Sequence, residues 1–130
     1  MNEILALTSK QAYKTIVTKD QHAIIVDEPV NLGGQDLGMT PKDLLAGALA
    51  SCTSITIRMY IDRKGWDLGD IRVRVSLEKD AELQKDVFKR VLEFDQPLEA
   101  DMQKKVLMIA DKCPVHKMLE QSSVIATKII

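Results

Sequence analysis

The run from Thr40 to Gly65, TPKDLLAGALASCTSITIRMYIDRKG, constrains this chain more than any other stretch. It reads as one long helix. Thr40 is a good N-cap, Pro41 falls at the first helical position where its missing N–H costs nothing, and Asp43 completes an acidic variant of the capping box. Arg63 and Lys64 suit the negative end of the helix dipole, and Gly65 is a natural stop. Such a helix is about 35 Å long at a rise of 1.5 Å per residue. Leu44, Leu45, Leu49, Cys52, Ile55, Ile57, Met59 and Ile61 do not fall on one narrow stripe, and no charge occurs between Leu44 and Ile57. A helix that is apolar all round is expected to be buried all round. A chain of 130 residues can hardly do that with one core, so a second subunit is expected to cover part of it. The small residues Ala46, Gly47, Ala48, Ala50 and Ser51 let another backbone approach closely. Taken as an isolated residue type, Cys52 in this setting reads as a small core hydrophobe.

The remaining chain is expected to form a single domain, 1–130. Net charge is −1 and the basic residues are scattered, which implies no nucleic-acid partner. Aromatic residues make up 4%, too few for a base-stacking surface. Met1 to Leu7 carries Glu3 and no long apolar core, and no uncharged run reaches the ~20 residues of a membrane span. A cytoplasmic protein with no membrane partner is therefore expected. Two cysteines in a reducing compartment are more often reactive or metal-binding than a structural staple.

Gln11 to Thr18 and His22 to Val26 read as a β-hairpin around Lys19-Asp20-Gln21, with Glu3 to Leu7 as an added edge strand. Pro29, Gly33, Gly34 and Gly38 mark a loop of about a dozen residues. After the long helix, Ile71 to Glu78 alternates cleanly, and Val87 to Phe94 pairs with it as a second hairpin. Leu98 to Lys112 is an amphipathic helix, Pro114 breaks it, a short helical turn covers Val115 to Gln121, and Val124 to Ile130 is expected as a closing strand. Strands in hairpins rather than in regular alternation with helices predict an α+β fold with mostly antiparallel sheet.

The second cysteine sits in Cys113-Pro114-Val115-His116, where one helix ends and another begins. Backbone N–H groups there favour a thiolate, and Lys112 and Lys117 add positive charge. His116 comes within reach on the first turn, although as an isolated residue it reads more readily as an exposed histidine with no role. Cys52, Cys113, His22 and His116 are the only soft metal-ligand candidates, and Cys-x-x-His alone does not make the four-ligand set of a structural zinc site. If the fold brings the two thiols together, one attacks an O–O bond to give a sulfenic acid, the other condenses with it to a disulfide, and an external reductant resets the pair.

Three segments resemble the osmotically induced protein (OsmC) and organic hydroperoxide resistance (Ohr) family. They are Thr40-Pro41 through Ser51-Cys52-Thr53, Phe88-Lys89-Arg90-Val91-Leu92-Glu93-Phe94, and Cys113-Pro114-Val115-His116-Lys117. Val26-Asp27-Glu28-Pro29 and Leu32-Gly33-Gly34 are similar to the loop that leads to that family's central helix. The resemblance implies an intertwined homodimer with the cysteine-bearing helix buried at its centre. It implies that Cys52 is the peroxidatic thiol and Cys113 the resolving one, acting on a small organic hydroperoxide. It implies no metal and no organic cofactor, and reduction by a dithiol or a lipoylated protein. Two departures mark an outlying member. Active members carry a Glu where this chain has Lys42, with Asp43 one residue away and turned about 100° around the helix. They also use an Arg from the N-terminal half, whereas this chain has none before Arg58. Single lysines lack the planar fork that such a pair needs. Lys42, Asp43 and His116 are the supporting candidates. The alternative reading is a dimeric protein that binds a small apolar ligand with little or no peroxidase activity. A working Cys52 is expected to titrate well below the free-thiol value of about 8.5, and a merely buried one above it.

Overall fold

The computed structural model describes residues 3–130, which fall into two compact units, Met1–Leu45 and Ala46–Ile130. In the first unit β1 (Leu5–Thr8), β2 (Thr15–Lys19) and β3 (His22–Val26) form an antiparallel sheet in that order. The second strand starts at Thr15 rather than Gln11. Thr8 and Thr15 face each other at the end of the β1–β2 ladder with hydroxyls 2.7 Å apart, so the residues between them make the connection. Lys19 pairs with His22, which leaves Asp20 and Gln21 as a two-residue turn. Asp20 takes φ 52°, a conformation that Asp tolerates better than most side chains.

The loop that follows is ordered around one carboxylate. Asp27 is 2% exposed. Its Oδ1 accepts from the N–H of Glu28 (2.7 Å) and Tyr13 (3.3 Å), and its Oδ2 from those of Gln35 and Leu37 (3.2 Å each). A short 3₁₀ turn, Val30–Leu32, lies within the loop, and Val26 makes a single parallel bridge to Met39. Gly38 is required here, because a Cβ would run into the carbonyl of Ile25.

Helix α1 (Pro41–Lys64) opens with the expected reciprocal cap. The Asp43 N–H donates to Thr40 Oγ1 at 3.1 Å, and the Thr40 N–H to Asp43 Oδ2 at 3.0 Å. Gly65 ends it at φ 71°. All-round burial is not what the chain achieves by itself. Leu49, Thr53, Ile57 and Ile61, spaced four apart, are buried, while Leu45, Ile55 and Met59 stay exposed. Four-residue spacing makes one stripe, so the chain's own core covers only that stripe. Among the described residues α1 alone has the length and apolar composition of a membrane span, a property that core helices share.

In the second unit β4 (Ile71–Asp80) and β5 (Lys85–Phe94) form an antiparallel ladder, followed by α2 (Ala100–Ala110) and α3 (Pro114–Glu120). Ile57, Ile61, Leu68, Val106 and Ala110 make the core, with Tyr60, Trp66, Leu92, Phe94 and Ile109 packed against it. Arg72 bonds Asp95 at 2.7 Å and Glu93 at 3.2 Å across the hairpin's open end. The expected strand from Val124 to Ile130 does not form, and Val124 and Ile130 are almost fully exposed. A strand exists only when an edge is available to pair with, and this segment pairs with neither sheet.

Candidate active site

Cys52 lies a little over three turns into α1, on the border between the buried stripe and the exposed Ile55 and Met59. Its neighbour Thr53 points inward and is fully buried, with the hydroxyl donating to Leu49 O at 2.7 Å, the usual outlet for a mid-helix threonine. Cys113 occupies the N-cap of α3, with Pro114 at the first helical position. Its N–H donates to Ala110 O at 3.3 Å, its carbonyl accepts from Lys117 N at 3.2 Å, and it has no exposed surface. Proline at that point is what turns the chain: it cannot continue α2, and it starts α3 without loss.

The two cysteines are free thiols, near enough for each to affect the other's proton. Their protons are held unequally. Burial pushes the Cys52 thiol up, and Cys113 beside it pushes the same way, outweighing the Val115 N–H and the Thr56 hydroxyl. Burial also raises Cys113, but the Cys52 thiol, the N–H groups of His116 and Val115, and the Thr53 hydroxyl together bring it below its ordinary value. Of the two, Cys113 therefore gives up its proton the more readily. The low-pKa member is Cys113, opposite to the expectation for a working Cys52.

His116 sits on the first turn of α3. Its Nε2 is 2.9 Å from Glu120 Oε1 and its Nδ1 4.0 Å from Asp111 Oδ1. Lys42 is exposed on the first turn of α1, and Asp43 beside it is held in the cap with Thr40. Among the described residues no group of three or more His, Cys, Asp or Glu side chains converges as a metal-ligand set.

One residue at the pair is not apparent from motif spacing. Arg90 Nη1 donates to Thr53 Oγ1 at 3.0 Å and to Ala110 O at 3.4 Å, and Nη2 donates to Asp111 Oδ1 at 3.1 Å. The signal was present in the alternation of β5. Phe88, Arg90, Leu92 and Phe94 share the covered face, and a cation in an apolar register needs polar partners inside. Arg90 and His116 also line a cleft of about 540 Å³, walled by Leu49, Phe88, Leu92, Leu107 and Leu119.

Comparisons with known proteins agree with the fold. Residues 33–128 match the family model described as OsmC-like protein. Among solved structures, a Psychrobacter arcticus 273-4 protein described as an osmotic stress induced and detoxification response protein is 26% identical. The match covers 91% of this chain and 88% of that one, with a TM-score of 0.78. An OsmC like protein from Mycoplasma pneumoniae is 18% identical over 91% of this chain and 86% of that one, with a TM-score of 0.75. The organic hydroperoxide resistance protein OhrB of Bacillus subtilis is 19% identical over 89% and 87%, with a TM-score of 0.61. No curated protein matches the chain.

Proposed function

The chain belongs to the OsmC-like family, and from that premise we propose that it is a thiol peroxidase that reduces organic hydroperoxides through Cys52 and Cys113. The observation that carries the reading is a pair of free thiols close enough to shift each other's acidity in opposite directions. Cys52 is the sulfur that meets the peroxide, because it keeps some exposed surface and Cys113 has none.

Once Cys113, the more acidic of the two, has lost its proton, the pair is Cys52 thiol and Cys113 thiolate. Proton transfer to Cys113 leaves the Cys52 thiolate, which attacks the terminal peroxide oxygen. The O–O bond breaks, Cys52 becomes a sulfenic acid, and the leaving alkoxide takes the proton from Cys113 to give an alcohol. The Cys113 thiolate then attacks the Cys52 sulfur, the S–O bond breaks, and hydroxide leaves as the disulfide forms. The pair gives up two electrons and the peroxide accepts them. A dithiol, free or as a protein-bound lipoyl group, restores the thiols by exchange. Lys42 and Asp43 have no assigned step in this scheme, and His116 contributes its backbone N–H at Cys113.

The working form is a homodimer, in which a second copy covers the exposed face of α1 and the apolar residues of the β1–β3 sheet, such as Leu5, Leu7 and Ile24. One observation favours the alternative. A Cys52 thiol held above its ordinary value suits a protein that uses its cleft to bind a small apolar ligand and turns over peroxide slowly or not at all. Intact mass and thiol count after one equivalent of cumene hydroperoxide separate the two. A peroxidase loses two hydrogens and both thiols, far faster than free cysteine reacts. Two unreacted thiols give the lead to the binding protein.

A further inference from the structure

The cleft of about 540 Å³ lies within the second unit, and its volume falls in the ~300–1,000 Å³ range of small-molecule sites. Its floor is apolar. Leu49 and Ala110 line it and are almost fully buried, with Phe88 and Leu92 of β5 beside them. Its rim is apolar on two elements. Leu83, on the turn between β4 and β5, is 62% exposed, and Leu107 on α2 is 60% exposed. The Leu83 N–H donates to Asp80 Oδ1 at 3.0 Å, which fixes that part of the rim. A guest with an apolar body removes this surface from water.

The ionic groups at the cleft are engaged with one another. Arg90 Nη2 meets Asp111 at 3.1 Å, His116 Nε2 meets Glu120 at 2.9 Å, and Lys79 meets Asp86 at 3.9 Å. Arg90 Nη1 is spent on Thr53 Oγ1 and Ala110 O. Lys85 remains, exposed at the rim, where water solvates it. Lys79, Lys85 and Arg90 balance Asp86, Asp111 and Glu120, so the formal charge is zero with a neutral His116. A charged guest would give up its hydration and meet no unpaired counter-charge at the floor.

Among the described residues neither cysteine lines this cleft. Leu49 stands three residues before Cys52, and Ala110 three before Cys113. The cleft therefore borders the segments that carry the sulfurs without including either sulfur. We infer that it is a binding site for an uncharged small molecule with an apolar body, separate from the thiol pair. The inference deepens the ligand-binding reading above and goes beyond it, since peroxide chemistry and ligand binding then occupy different places in one chain rather than excluding each other.

The test is isothermal titration calorimetry of the full chain with 1-octanol at neutral pH. Saturable binding is expected, with affinity rising about fourfold for each methylene added from 1-hexanol to 1-octanol. Octanoate, ionised at this pH, should bind at least tenfold more weakly than 1-octanol. Leu107→Asp and Leu83→Asp should each weaken 1-octanol at least tenfold. Both side chains are more than half exposed, so the fold should survive, which circular dichroism checks, and Leu83→Asp decides if Leu107→Asp is not folded. Cys52→Ser should leave the affinity within twofold. No saturable binding up to the solubility of 1-octanol, or affinities that the two rim substitutions leave unchanged, would overturn the site. A tenfold loss in Cys52→Ser would overturn its separation from the thiols, and tighter binding of octanoate would overturn the uncharged guest. None of these readouts uses peroxide, so they stand whether or not cumene hydroperoxide consumes the two thiols.

Discussion

Cys52 and Cys113, distant in sequence, lie close enough to shift each other's acidity, Cys52 upward and Cys113 downward. That asymmetry predicts unequal consequences of removing either sulfur. Cys52→Ser should abolish peroxide-dependent turnover, a loss of at least ~10³-fold, because serine is not oxidised by peroxide. Cys113→Ser should permit one oxidation to the sulfenic acid, seen as a gain of one oxygen by mass, and no disulfide. Full turnover by Cys52→Ser would reverse the assignment of roles.

The unequal acidity of the two thiols also sets a pH dependence. Peroxide should react with the singly deprotonated pair, whose first proton leaves below the ordinary thiol value because Cys113 is lowered. The oxidation rate should therefore rise with pH and level off below about 8.5, where free cysteine is still accelerating. Stopped-flow rates across this range check it. An inflection at or above the free-cysteine value would mean that Cys113 does not lower the pair's first pKa.

The fold was legible where local chemistry decides it. Thr40, Pro41 and Asp43 at one end of α1 and Gly65 at the other define the helix before any tertiary contact is known. The alternation from Ile71 defines β4 in the same way. The pairing of Cys52 with Cys113 was legible only through resemblance, since spacing cannot reveal which helix end meets which. Val124 to Ile130 misled because its composition suits a strand, whereas a strand forms only against a partner edge. Arg90 stood inside a matching segment but received no role, because cysteines and histidines drew the chemical reading. Its position on the apolar face of β5, between Phe88 and Leu92, was the readable clue.

Asp27 should make the first unit's loop acid-sensitive. Burial raises its pKa, but the N–H groups of Glu28, Leu37, Gln35 and Tyr13 prevail and lower it. A lowered folded-state pKa adds stability that is fully present above the unfolded value of about 3.9 and is lost as pH falls through the folded value. Asp27→Asn places an amide donor against backbone donors and removes that contribution. At neutral pH it should lower Tm by about 5 °C or more, on the usual scaling for a domain of this size. The gap should narrow as pH falls below the unfolded value of about 3.9. A gap that is equal or wider in acid would show that the four N–H bonds do not favour the carboxylate.

Ile57 anchors the second unit. It has no exposed surface and packs with Ile61, Leu68, Val106 and Ala110. Ile57→Ala should cost about 2–5 kcal/mol, the range for emptying a packed aliphatic site. Urea denaturation with an unchanged slope measures it. A loss below about 1 kcal/mol would mean that neighbouring side chains collapse into the space.

Ile55 tests the proposed dimer. It is 54% exposed and Met59, one turn on, is 63% exposed, on the side of α1 that borders Cys52 rather than the stripe in the core. Leaving this face bare in water is unfavourable by about 25 cal/mol per Å² of apolar surface, so a second copy that covers it gains that amount. Ile55→Glu would bury a carboxylate with no cation opposite it. The substitution should weaken self-association by about 100-fold or more, as an unpaired charge at an interface costs several kcal/mol. It should leave the monomer's melting behaviour nearly intact, since Ile55 takes no part in the chain's own core. Sedimentation equilibrium of both proteins reads this directly. A wild-type monomer at micromolar concentration would remove the dimer from the proposal. An Ile55→Glu protein that still dimerises would move the interface away from this face of α1.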